Sequence, residues 1–234
     1  FSTANMLAIN PALNPKLRYN ADKDFEYVGL VSTSQNVFVV QDGLGVTNLK
    51  EFIALAKREP GKLNYGSSGI GSSGHLTAEL LMSMTGIKLT HIPFKSMGTS
   101  RLDFSAGRTD ISICTDDSAC KEFVASVKAH PIMVTGKQRS PLFTDVPTAD
   151  EAGLKGYDVT IWFGLNAPRG TPKPVIDTLN KALNEVLDSP ETRKEFASNG
   201  QVIRLTSSEE YRAFAAKDRQ RWAEIIKASN IRAD

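Results

Sequence analysis

Apolar spacing divides the chain into short strands alternating with amphipathic helices. Between 47 and 58, Leu49, Phe52, Ile53 and Ala56 share one helical face, and Pro60-Gly61 supplies the stop. Leu63 and Tyr65 then open a short strand. Gly66 to Gly74 form a glycine and serine loop, and Leu76, Leu80, Leu81 and Met84 carry a second helix that ends at Gly86. The same alternation predicts a strand at 88–92, a helix at 98–105, a strand at 110–114, a helix at 118–128 and strands at 131–135 and Val159 to Leu165. Residues 27–31 and 37–41 read as two further strands.

Short strands alternating with helices of about ten residues imply parallel strands joined by crossover helices, hence an α/β sheet covered on both faces. Thr148 and Glu151 have the spacing of a capping box for a short helix. Beyond Leu165 the pattern becomes helical. Thr171 reads as an N-cap with Pro172 at the first helical position, followed by Val175, Ile176, Leu179, Leu183 and Val186 at a period of 3.6. Pro190 to Ala197 is a shorter helix, and Ser207 with Glu210 caps a long terminal one. This block lacks strand-helix-strand units of its own, so it is expected to pack on a domain whose first units are missing.

Composition excludes several classes of protein. The 28 Lys and Arg against 26 Asp and Glu give a net charge of +2, with both signs spread along the 234 residues. Such a surface offers no electrostatic footprint for nucleic acid or anionic lipid. No apolar run approaches the roughly 18 residues of a membrane span, and Phe1-Ser2-Thr3 reads as a processed or truncated beginning. Cys114 and Cys120 form no metal-ligand pattern and read as free, partly buried thiols. His75, His91 and His130 are scattered and read as surface or turn histidines.

The loop Gly66-Ser67-Ser68-Gly69-Ile70-Gly71-Ser72-Ser73-Gly74 is the richest local signal. Residues 69–74 match a GxGxxG dinucleotide fingerprint, which makes an NADP-binding oxidoreductase the alternative reading. The acid expected about twenty residues on is absent, however, and Lys95 stands in that neighbourhood. A P-loop fails because Ser72 occupies the lysine position, and no serine has glycines two before and two after it as a nucleophile elbow requires. What remains is a backbone nest. Glycines let main chain approach a ligand, and the following helix aims unpaired N–H groups and partial positive charge at it, which suits a carboxylate. The plain alternative is a tight strand-to-helix turn. Asp116-Asp117 sits at a strand end and reads foremost as a helix N-cap. Trp162 and Phe163 read as core or as the aromatic wall of a cleft.

Several ordered segments resemble the Bug family, the substrate-binding proteins of tripartite tricarboxylate transporters. These are Leu7-Ala8-Ile9-Asn10-Pro11-Ala12-Leu13, Pro60-Gly61-Lys62-Leu63-Asn64-Tyr65-Gly66-Ser67 running into Ser73-Gly74-His75-Leu76, His91-Ile92-Pro93-Phe94-Lys95, Asp145-Val146-Pro147-Thr148, and Trp162-Phe163-Gly164-Leu165 ahead of Gly170-Thr171-Pro172-Lys173-Pro174. The resemblance implies a type II-like periplasmic binding protein: two α/β domains joined by crossing hinge strands, closing on a small organic carboxylate held between two strand-to-helix loops. Ser67 to Ser73 matches one of those loops. The other has no counterpart, so the first domain is expected to be incomplete.

Residues 32–160 are accordingly expected to form the intact second domain, and 1–31 with 161–234 a remnant of the first. The resemblance implies a periplasmic, non-enzymatic protein without a cofactor that works with the membrane components of a transporter. Ser67, Ser68, Gly69, Gly71, Ser72 and Ser73 would present donors to the carboxylate, Lys95 and Ser96 would flank it, and Trp162 with Phe163 would line the hinge side. Two departures stand out. Relatives commonly carry glycine where Ser96 stands, and an acid or amide around Cys114 and Thr115.

Overall fold

The computed structural model describes residues 1–14 and 16–228 and parts into two compact units, Phe1–Thr33 with Ile161–Asp234, and Ser34–Thr160. In chain order the strands are β1 (Ser2–Thr3), β2 (Phe25–Gln41), β3 (Asn64–Ser67), β4 (Thr90–Pro93), β5 (Ile111–Thr115), β6 (Ala129–Val134), β7 (Thr160–Pro168) and β8 (Val202–Ile203). The α-helices are α1 (Asn10–Leu13), α2 (Leu49–Arg58), α3 (Ser73–Thr85), α4 (Met97–Ser105), α5 (Ser118–Ser126), α6 (Lys173–Asp188), α7 (Pro190–Ser198) and α8 (Ser208–Ala228).

In the unit Ser34–Thr160, β3 pairs in parallel with both β4 and β5, while β2 runs antiparallel to β5 on one side and β6 on the other. The sheet is therefore mixed, which corrects the all-parallel expectation. The three-strand set 4-3-5 follows the crossover logic, and β2 is inserted against it because it enters from the preceding unit as one continuous strand. Side-chain alternation along β2 then covers both faces. Val37 and Val39 join Phe104, Cys114, Cys120 and Val134 in one buried cluster, and Phe38 packs its ring 5.2 Å from Phe52 of α2.

The two strands expected at 27–31 and 37–41 are one 17-residue strand. Its polar centre, Ser32 to Asn36, is buried, and most of its side chains are hydrogen-bonded, the Ser34 hydroxyl being the exception. Ser32 Oγ donates to Gln201 Oε1, Gln35 Nε2 to Asp116 Oδ2, and Asn36 Nδ2 to Thr77 Oγ1. Side-chain pairing removes the desolvation cost that makes such a stretch read as a break.

In the other unit, β1 pairs antiparallel with β7, β8 with the first half of β2, and α8 packs on the helical turns Asn5–Leu13. Its core centres on Trp162, Tyr211, Tyr27 and Trp222. Two end signals differ from expectation. Pro172, extended at ψ 141°, is the N-cap of α6, and the Thr171 hydroxyl instead donates to Pro168 O. Thr148 and Glu151 do exchange the reciprocal bonds of a capping box, but the residues after them form turns.

Candidate functional site

The carboxyl ends of β3, β4 and β5 share one edge of their sheet, where open α/β sheets place ligands. At that edge β3 runs into the Ser67–Ser72 loop and then into α3. Ser72 is the N-cap of α3, its Oγ accepting from His75 N at 3.3 Å. Gly69 and Gly71 adopt φ of +113° and +76°, a region that residues with a Cβ rarely enter. Gly74 is needed for packing: a Cβ there would stand 3.3 Å from Ile113 O.

Three of the loop's backbone donors hold the loop itself. Gly69 N donates to Ser67 Oγ at 3.1 Å, Ser72 N to Gly69 O at 3.2 Å, and Gly71 N to His75 Nδ1 at 3.0 Å. The Ser67 hydroxyl is further bonded to His91 Nε2 at 2.7 Å and is buried. The expectation that Ser67, Gly69 and Gly71 present donors outward is thus corrected, as it is for the Ser72 amide: a tight turn with two left-handed glycines needs these bonds to hold its shape. The N–H groups of Ser68, Ile70, Ser73 and Gly74 show no protein acceptor among the described residues. Those of Ser73 and Gly74 are orphaned by their place in the first turn of α3. Ser68 is exposed and Ser73 half-buried.

The flanking residues stand at the same edge. Lys95 is exposed just beyond β4, and Ser96 caps α4, its Oγ accepting from Thr99 N at 3.2 Å. Beyond β5, Asp117 caps α5 through Cys120 N. Asp116 is fully buried, accepting from Gln35 Nε2 and Ser140 Oγ, and burial pushes its carboxyl above the usual range against those two bonds. Sequence reading singled out the pair as a cap, but only Asp117 fills that role.

Trp162 and Phe163 lie in the other unit. Trp162 is completely buried, its ring 5.8 Å from both Tyr211 and Phe214 and its Nε1 donating to Asp218 Oδ2 at 2.8 Å. It is core, and its assignment as a ligand wall is withdrawn because no surface remains to touch a ligand. Phe163 is half-buried and stacks on Phe1. That unit also carries an open depression of about 460 Å³ lined by Pro11, Asn14, Tyr19, Asn20, Asp22 and Arg219. Of the two arginines that line it, Arg18 and Arg219, the latter contacts Asp22 and donates to Leu7 O.

The cysteines are corrected as well. Cys114 and Cys120 form a disulfide and both are fully buried, so they are not free thiols. Six residues apart, one at the end of β5 and the other in the first turn of α5, they meet because the Asp117 cap folds the chain back. His75 and His91 are not isolated surface residues either: they stack on each other at 4.4 Å beneath the loop. No local sequence signal joins the pair: His75 reaches the loop from α3 and His91 from β4. No group of three or more His, Cys, Asp or Glu that could hold a metal occurs among the described residues.

The sequence pattern of the tripartite tricarboxylate transporter family receptor matches residues 2–231. The chain belongs to this family. An R. palustris protein solved with adipate is 29% identical, with a TM-score of 0.88 over 99% of this chain and 77% of that one. MatC from Rhodopseudomonas palustris, solved with bound malate, is 27% identical, with a TM-score of 0.82 over 96% and 77%. A curated relative from Pseudomonas sp. strain P51, encoded in a tcbD-tcbE intergenic region, is 30% identical over 94% of this chain, and the match spans 66% of that relative. The α/β fold of this receptor family is therefore the fold of the chain. These findings give no support to the dinucleotide alternative. Among the described residues no helix is long and apolar enough to cross a membrane.

Proposed function

We propose that the chain is an extracytoplasmic solute receptor that captures a small organic carboxylate on the loop between β3 and α3, for delivery to the membrane components of a tripartite tricarboxylate-type transporter. The observation that carries this reading is the set of four unspent amides, those of Ser68 and Ile70 in the loop and those of Ser73 and Gly74 in the first turn of the 13-residue α3. Backbone donors fixed in a turn pay little ordering entropy on binding an anion, and the helix end adds favourable potential. Lys95 supplies a nearby positive charge, and the exposed Ser68 hydroxyl supplies a further donor, whereas that of Ser73 donates to Asn36 Oδ1 at 3.5 Å.

Two observations support the rest of the reading. Relatives are solved with adipate and with malate, both dicarboxylates. A buried disulfide between Cys114 and Cys120 suits an oxidising compartment such as the periplasm. The function assigned to the loop is binding without covalent chemistry, and it calls for no cofactor.

A thermal-shift series tests this. A dicarboxylate, adipate or malate among the probes, is expected to raise Tm, with about 2.7 kcal/mol of stabilisation at a hundredfold excess over Kd. A rise with NADPH and none with any dicarboxylate would overturn the reading.

A further inference from the structure

Three rings lie in one stack beneath the loop. Tyr65 of β3 packs on His91 of β4 with centroids 4.8 Å apart and planes inclined by 17°, and His91 packs on His75 of α3 at 4.4 Å and 18°. Each imidazole holds a different part of the loop. His75 Nδ1 accepts the Gly71 N–H at 3.0 Å. His91 Nε2 bonds the Ser67 hydroxyl at 2.7 Å, and that oxygen accepts the Gly69 N–H at 3.1 Å. The two glycines so held are the two at positive φ in this loop, and both have many other conformations open to them. Local preference therefore does not fix the loop, and the contacts from below do.

We infer that His75 and His91 are positioning residues for the carboxylate site, clamping Gly71 and Ser67 so that the amides of Ser68, Ile70, Ser73 and Gly74 stand ready before the ligand arrives. This rests on the function proposed above and extends it to residues that touch no ligand. The clamp requires an unprotonated Nδ1 on His75, because a protonated nitrogen cannot accept from Gly71. Glu79 Oε1 lies 3.5 Å from His75 Nε2, which places the ring proton on that side and leaves Nδ1 as the acceptor. The titratable groups facing the stack are Glu79 from α3, also 3.4 Å from the Tyr65 hydroxyl, and Tyr65 itself from β3, whose phenol burial pushes up. Loss of the bond to His75 Nδ1 would release Gly71 and loosen the ligand loop.

The test reads the free protein first. Hydrogen exchange of the Gly71 amide is measured by NMR in the wild type, in His75→Asn, whose Oδ1 stands where Nδ1 stood, and in His75→Phe, which keeps the stack and removes the acceptor. Protection is expected in the first two and a loss of about tenfold or more in the third, the effect of one hydrogen bond. Adipate affinity should follow the same order. Unchanged Gly71 protection in folded His75→Phe would overturn the inference. Should that variant fail to fold, the wild type decides: a scalar coupling across the hydrogen bond between the Gly71 amide nitrogen and His75 Nδ1 is expected, and its absence overturns the inference. Protected Gly71 with no binding of adipate, malate or other dicarboxylates would refute the carboxylate reading and leave the clamp standing.

Discussion

His91 is the residue whose chemistry most directly links the loop to solution conditions. Burial, with the neighbouring His75 ring adding to it and Glu79 partly opposing it, holds the His91 imidazole at about 4 against an ordinary 6.5. Below about pH 6.5 the unfolded chain takes up a proton that the folded site refuses until about 4. The unfolded state thus binds more protons across this window, and stability falls as pH falls through it. One proton sets a ceiling of about 1.4 kcal/mol per pH unit, and a half-buried group stays below it. Urea unfolding at several pH values should show a shallower dependence between pH 4 and 6.5 in His91→Phe than in the wild type. An equal slope in both would contradict this account. The sequence made the loop legible as a nest, because Gly69 and Gly71 are the residues such a turn demands. It did not show which amides the loop spends on itself. That depends on His75 and His91, which local reading treats as separate residues and only the pairing of β3 with β4 brings together.

At the scale of elements, strand and helix positions were readable wherever burial follows a simple period. The helix 98–105 and the strands near 110–114 and 131–135 fall within a residue or two of α4, β5 and β6. β2 was not readable as one strand. At its centre Ser32, Gln35 and Asn36 find their partners in Gln201, Asp116 and Thr77, residues distant in sequence, and no alternating pattern announces that. The turn from β5 to α5 is the other case, since an Asp cap and a disulfide act on the same six-residue span. Replacing both Cys114 and Cys120 by alanine should cost about 2 kcal/mol, the closure entropy of so short a loop, and lower the urea midpoint accordingly. An unchanged midpoint would show that the bridge contributes nothing to the fold.

At the scale of the molecule, the family match and the structural likeness to receptors solved with adipate and malate set the context for the site. The segments that carried the resemblance are spread from Leu7 to Pro174, which is why family and fold class were legible where no single motif was decisive. Trp162 shows the limit of that approach. Its motif, Trp162-Phe163-Gly164-Leu165, is recognisable, yet it marks a core position, with Gly164 left bare because the Tyr211 hydroxyl occupies the space a Cβ would take. Capture of a carboxylate by this chain depends on where the anion meets the main chain. The most direct measurement is a titration with adipate and malate followed by amide proton and nitrogen shifts. The expected result is that Ser68, Ile70, Ser73 and Gly74 move together and saturate along one binding curve. Saturable binding that leaves those four amides unmoved would contradict it.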